Sequence, residues 1–143
     1  MYQLTVKELM STELITLERD ETLDLATEIM RLARIRHLPV IDESGHLCGL
    51  VTHRDLLGAQ VSALAGLTRD ELEDLDSSIS VSTIMTEDVM TIGPDATALD
   101  AAKIMREHRI GCLPVTEGEA LVGIITEADF LELVIRALEK KPA

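Results

Sequence analysis

The sequence predicts an α+β fold: two copies of one strand-helix-strand-strand-helix (β-α-β-β-α) unit packed face to face. Three observations carry that expectation. Sliding the 143-residue chain by 75 positions sets Val6, Met10, Thr16, Thr22, Met30, Arg34 and the run Leu38-Pro39-Val40 on identical residues, from Val81 and Met85 to Leu113-Pro114-Val115. After a one-residue deletion in the second copy the offset becomes 74, and Gly49, Thr52 and Asp55 meet Gly123, Thr126 and Asp129. Within each copy the hydrophobic period changes in the same order, from a short apolar run to helical spacing, then two short runs around a turn, then a helix. Finally, a copy of about 50 residues is too short to bury a good core alone, whereas two together reach the size of an ordinary domain.

In chain order, Leu14 to Leu17 reads as a short apolar strand. Charged Arg19-Asp20-Glu21 follows, then a helix with Leu25, Ala26, Ile29, Met30 and Ala33 on its apolar face. The counterpart face in the second copy is Ala101, Ile104, Met105 and His108. Thr97 with Asp100 resembles a capping box at that second helix start, and Pro94 suits the turn entering it; Thr22 followed by Leu25 predicts a weaker cap in the first copy. LPVID and LCGLV around ESGH, and LPVT and ALVGII around EGE, read as hairpins. A last helix starts at Thr52 and again at Thr126. Between the copies, VSALAGL prolongs the preceding helix, Thr68 with Glu71 caps a short acidic helix ending near SSIS, and leucines recur at Leu67, Leu72 and Leu75. The expected divisions are a first repeat over 1–57, a helical connector over 58–80 and a second repeat over 81–143.

Composition narrows the function classes. Hydrophobic residues make up 46% of the chain, yet it holds one Phe, one Tyr and no Trp, so the core is expected to be aliphatic. Aromatic platforms for single-stranded nucleic acid are lacking. A formal net charge of −13 disfavours nucleic acid and anionic membrane as partners, because both need a cationic surface. Neither a basic-then-apolar leader nor an apolar run of membrane-spanning length is present, so the expected location is the cytoplasm. Cys48 and Cys112 form no CxxC or disulfide pattern and read as small buried hydrophobes. The four histidines show no metal-ligand spacing, and no Ser/His/Asp, Cys/His or Walker arrangement appears, so neither a metal site nor a catalytic residue is assigned.

The chemistry-bearing motif is the repeated heptad GLVTHRD (residues 49–55) and GIITEAD (residues 123–129). A Thr three residues before an acidic residue at a helix start is first of all a cap. The reciprocal box prefers Glu or Gln, however, and Asp stands in both copies, which predicts a shorter carboxylate free to face outward. The Gly three residues before each Thr serves no capping purpose; it would let a ligand or another backbone approach the strand. Helix N-terminal N–H groups and a Thr hydroxyl suit phosphate oxygens, and an Asp can accept two hydrogen bonds from vicinal ribose hydroxyls. Capping alone and nucleoside binding both remain open on these residues.

The duplicated V-x-x-hM…T…A-x-x-hM…hLPV…G-h-h-T-x-x-D pattern, with h apolar, resembles a tandem pair of cystathionine β-synthase (CBS) domains, a Bateman module, over about residues 6–57 and 81–138. The resemblance implies two β-α-β-β-α repeats packed with pseudo-two-fold symmetry and a regulatory role without catalysis. It also implies adenosine-type ligands (AMP, ADP, ATP or S-adenosylmethionine) in clefts between the repeats, no required cofactor, and a homodimer. Carried onto this chain, Asp55 and Asp129 would hold ribose, Thr52 and Thr126 would contact ribose or phosphate, and Thr16 and Thr91 would lie beside the base. The sequence lacks the attached enzyme, transporter or DNA-binding domain of many relatives, so a regulated protein partner is unassigned. The alternative is a ligand-free dimerisation scaffold or partner-binding protein. An asymmetry is also expected: Arg34, Arg36, His37, His53 and Arg54 surround the first TxxD, whereas Arg109, Gly111, Cys112, Glu127 and Ala128 stand in the second. Phosphate needs positive partners, which favours the Asp55 site for an anionic nucleotide.

Overall fold

Apolar runs bounded by turn residues fold into hairpins in both copies. The structure, a computed structural model, describes residues 3–63, 66 and 68–140. Its described residues fall into two compact units: one joins the segment up to Leu14 to the chain from Met90 onward, and the other comprises Ile15–Val89. The sequence repeats and the units thus divide the chain differently, because the opening segment of each copy lies in the unit built on the other copy's hairpin.

In the Ile15–Val89 unit, strand β1 (Leu17–Glu18) runs parallel to β2 (His37–Ile41), which pairs antiparallel with β3 (Leu47–Thr52). Helix α2 (Leu23–Ala33) crosses between β1 and β2. β1 is shorter than the expected Leu14–Leu17 run, and Ile15 is 42% exposed. In the turn between β2 and β3, the Asp42 carboxylate accepts hydrogen bonds from the backbone N–H groups of Ser44 (2.8 Å) and His46 (3.0 Å), which hold its pKa below the usual carboxylate value. Leu17, Leu23, Leu38, Val40, Val51 and Val81 are fully buried together, an aliphatic core as composition predicted. Each such side chain contributes about 1.5–3 kcal/mol by leaving water.

Helix α3 (His53–Ala63) follows β3 directly, and α4 (Arg69–Ser78) packs on α2. The acidic connector helix starts where expected, with Thr68 Oγ1 accepting from the Glu71 N–H at 3.2 Å. Leu67 lies outside the described residues, and of Leu72 only the helical backbone is described. A single 3-10 turn (Val81–Thr83) then carries Val81 into the core, and Thr86 forms an antiparallel bridge with Leu50.

The other unit repeats the plan. Ile92 makes one parallel bridge with Val115, in the place of β1. Helix α5 (Ala98–His108), β4 (Cys112–Glu117), β5 (Ala120–Thr126) and α6 (Glu127–Glu139) follow. The one-residue deletion falls at the hairpin turn: residues 42–46 separate β2 from β3 in the first copy, whereas in the second β4 and β5 each run one residue further into the turn and leave residues 118–119 between them. Helix α1 (Val6–Leu9), not expected from the sequence, is closed by a capping box between Thr5 and Glu8. It sets Val6 into the core beside Leu113, Val115 and Ile125, and Ser11 bridges to Ile124 on β5.

Several expected core positions need correction. On α2 the buried face is Leu23, Ala26 and Met30, with Ile29 packed at its edge, while Leu25 is 40% exposed and Ala33 lies on the surface. On α5, Ala98, Ala101 and Met105 are buried and His108 is exposed. Both helices start directly after the expected cap residues, and their buried positions, 23, 26 and 30 and likewise 98, 101 and 105, share one face at i, i+3 and i+7, which leaves residue 25 and the last turn outside it. The caps differ as expected: Thr97 Oγ1 accepts from the Asp100 N–H at 3.0 Å, whereas the Thr22 hydroxyl turns to Asp24 and makes no cap bond. Both helices end in a left-handed arginine, Arg34 (φ 56) and Arg109 (φ 54), whose N–H caps the carbonyl of Met30 or Met105.

Candidate functional site

The antiparallel ladders fix what stands beside each TxxD. His37 lies opposite Thr52, and Cys112 opposite Thr126. The first N–H of each following helix is then used locally, His53 donating to the Arg36 carbonyl at 2.8 Å and Glu127 to the Gly111 carbonyl at 3.1 Å. Arg36, His37, Thr52, His53, Arg54 and Asp55 are therefore gathered at one strand end. Thr16 belongs to the same unit, half-buried just ahead of Leu17, which pairs with Val40 on β2. In the other unit Thr91, exposed ahead of Ile92, accompanies Thr126 and Asp129.

The carboxylates do not face freely outward, which corrects the expectation drawn from their length. Asp55 Oδ2 accepts from the Thr52 N–H at 2.9 Å while Thr52 Oγ1 accepts from the Asp55 N–H at 3.2 Å, a complete reciprocal box. Asp129 Oδ2 accepts from the Thr126 N–H at 2.9 Å, and the Thr126 hydroxyl lies 3.4 Å from the same oxygen. Helical side chains lean back toward the N-terminus, so in this position even the shorter aspartate arm spans the gap. One oxygen of each carboxylate is thereby committed to folding.

The second oxygen distinguishes the two copies. Asp55 Oδ1 has no hydrogen-bond partner among the described residues, whereas Asp129 Oδ1 accepts from the Ser11 hydroxyl at 3.1 Å. Ser11 was not singled out in the sequence; the repeated Met10-Ser11 and Met85-Thr86 pairs were the available signal.

The glycines also have a role other than the expected one. A Cβ on Gly49 would overlap Met85 Sδ, and one on Gly123 would overlap Met10 Sδ. Both positions are buried, so the close approach that glycine permits is made by the chain's own methionines.

Charge is unequal, as the sequence suggested. Arg34, Arg36, His53 and Arg54 are exposed, and the three arginines form no ion pair among the described residues. At the matching position of the second copy, burial and then the nearby Glu127 carboxylate push the Cys112 thiol up to about 12, leaving it a neutral group. Cys48 is only half-buried, contrary to expectation, with its thiol 3.3 Å from the Val40 carbonyl. Among the described residues no helix is long and apolar enough to cross a membrane.

Comparison with known proteins agrees with this architecture. The CBS domain family model matches residues 6–62 and 81–136. The chain is 40% identical over 139 residues to a CBS domain-containing protein of Dictyostelium discoideum, covering 96% of this chain and 95% of that one. It is 34% identical to the homoserine O-acetyltransferase of Methanococcoides burtonii, of which it spans 24%. Among solved structures it resembles a proposed acetoin utilization protein (AcuB) from Vibrio cholerae, with a TM-score of 0.85 and 36% identity over 97% of both chains. It also resembles the CBS domain pair of protein MJ0100 in complex with 5′-methylthioadenosine and S-adenosylmethionine, with a TM-score of 0.77 and 28% identity over 95% of this chain and 99% of that one. The chain belongs to the CBS domain family, as a tandem pair of CBS domains with an α+β fold.

Proposed function

We propose that the protein is a regulatory module that binds adenosine-type ligands and performs no catalysis on them. The observation that carries this reading is the divided use of each aspartate: Oδ2 of Asp55 and of Asp129 closes the helix cap and fixes the carboxylate, so that Oδ1, open on Asp55 and held only by the Ser11 hydroxyl on Asp129, is the acceptor for ribose hydroxyls. The ligands recorded for the 28%-identical CBS pair of MJ0100, both adenosine compounds, support the ligand class. In this reading Asp55 and Asp129 take ribose, Thr52 and Thr126 take ribose or phosphate, and Thr16 and Thr91 flank the base. Arg36, His37, His53 and Arg54 receive phosphate, so the Asp55 site takes AMP, ADP or ATP. The Asp129 site, beside neutral Cys112 and acidic Glu127, takes a less anionic adenosine compound such as S-adenosylmethionine. We further propose that the protein works as a cytoplasmic homodimer.

Titration calorimetry with AMP, ADP, ATP, S-adenosylmethionine and 5′-methylthioadenosine tests the reading. Hydrogen bonds to a charged group contribute about 1.5–3 kcal/mol, so Asp55→Ala or Asp129→Ala should weaken its own site by roughly 10- to 100-fold. Loss of the cap bond should cost the fold only about 1 kcal/mol. The capping boxes favour a second reading, a ligand-free scaffold, because they account for both aspartates without a ligand. Absence of binding heat for all five compounds at millimolar concentration would establish it.

A further inference from the structure

We propose that Ser11 is an internal competitor for the Asp129 carboxylate and so the residue that sets ligand affinity at that site. The inference rests on the adenosine reading above. Both oxygens of Asp129 already accept hydrogen bonds, Oδ2 from the Thr126 N–H at 2.9 Å and Oδ1 from the Ser11 hydroxyl at 3.1 Å. A ribose hydroxyl arriving at Oδ1 meets a donor already in place.

That donor comes with little ordering cost. Two backbone hydrogen bonds hold Ser11 against β5, its N–H to the Ile124 carbonyl at 2.9 Å and the Ile124 N–H to its own carbonyl at 3.0 Å. With the backbone fixed, only one side-chain torsion separates the engaged and released hydroxyl, so the competitor acts intramolecularly at high effective concentration.

The first copy supplies the control. Thr86 stands in the place of Ser11 with the same backbone bridge, to Leu50 at 2.9 and 3.0 Å. Its hydroxyl makes no hydrogen bond among the described residues, and Asp55 Oδ1 is left open. The two bridging hydrogen bonds are the same in both units and the side chain differs. A β-branched threonine has fewer accessible χ1 rotamers than serine, which disfavours the same turn of its hydroxyl onto the carboxylate. Beyond their difference in charge, the two sites thus differ in the contact to Oδ1, through a serine in one and a threonine in the other, outside the TxxD motif.

The test is calorimetric titration of the full chain with 5′-methylthioadenosine, a probe without phosphate, in an Asp55→Ala background that leaves only the Asp129 site. Adding Ser11→Ala or Ser11→Thr should tighten binding about 3- to 10-fold, the scale of one hydrogen bond removed from competition. In an Asp129→Ala background, Thr86→Ser should weaken AMP binding at the Asp55 site by a similar factor. Melting curves verify that each variant is folded. Unchanged affinity in the Ser11 variants overturns the proposal while the adenosine reading stands. Weaker binding also overturns it, by making Ser11 a residue that orients Asp129. If the Asp55→Ala parent and the unmodified chain bind no adenosine compound, the adenosine reading falls and this inference with it.

Discussion

Gly123 and Met10 are separated by most of the chain, yet each explains why the other is repeated. The sequence made Gly49 and Gly123 visible as duplicated residues, but their contacts with Met85 and Met10 depend on which copy's opening segment lies over which strand, and that is not encoded locally. We predict that Gly123→Ala destabilises the protein by about 1–3 kcal/mol through overpacking against Met10 Sδ, and that Met10→Ala in the same chain recovers part of the loss. Urea unfolding of the two single variants and the double variant measures the coupling; additive losses would contradict it. Cys112 offers a second test at this scale. Its raised pKa means that the native state keeps a proton that the unfolded chain releases, so the contribution to stability is complete below about pH 9 and is lost as pH rises toward about 12. Unfolding curves across that window should show Cys112→Ala losing this part of the alkaline decline. At pH 8, iodoacetamide should modify half-buried Cys48 before Cys112.

The hairpins, α2, α4, α5 and the starts of α3 and α6 were legible because turn residues, caps and periodicity agreed. Helix α1 was missed although Thr5-x-x-Glu8 is a capping box of the preferred kind, because four residues carry too little periodicity to count as a helix. The candidate site residues were legible as a motif, but the partner of Asp129 Oδ1 was not, since Ser11 lies 118 positions away in sequence. Helix α6 raises a question of its own. Leu131 (61% exposed), Val134 (50%), Ile135 (40%) and Leu138 (80%) recur at i, i+3, i+4 and i+7, a stripe that faces solvent. We predict that a second copy of the chain covers this stripe. Light scattering at micromolar concentration should give a dimer, and Leu131→Glu should weaken association at least 10-fold, the scale of one buried leucine. A monomer in both cases would reject the assignment.

At the scale of the whole molecule, the unit of sequence and the unit of packing are offset. The repeat begins near Val6 and Val81, but the structure encloses Val81 in the core of the Ile15–Val89 unit and Val6 in the core formed with Leu113, Val115 and Ile125. Each hairpin is completed by a segment from the far side of the chain: Thr86 bridges Leu50, and Ser11 bridges Ile124. Two fragments of equal length separate the descriptions. Residues 15–89 form a 75-residue piece that retains Val81, Met85 and the Thr86 bridge, while residues 1–75 match one sequence period and contain neither Val81 nor Met85. The second fragment also carries Val6 without its core, exposing a side chain that is fully buried in the protein. Removing Val81 and Met85 from the Leu17, Leu38 and Val51 cluster leaves a cavity and forfeits about 3–6 kcal/mol of burial, a large share of what a domain of this size can hold. Residues 15–89 should therefore unfold cooperatively in circular dichroism melts, and residues 1–75 should show a broad, non-cooperative loss of signal. Equal cooperativity in the two fragments would mean that the segment 81–89 contributes little to the unit it completes.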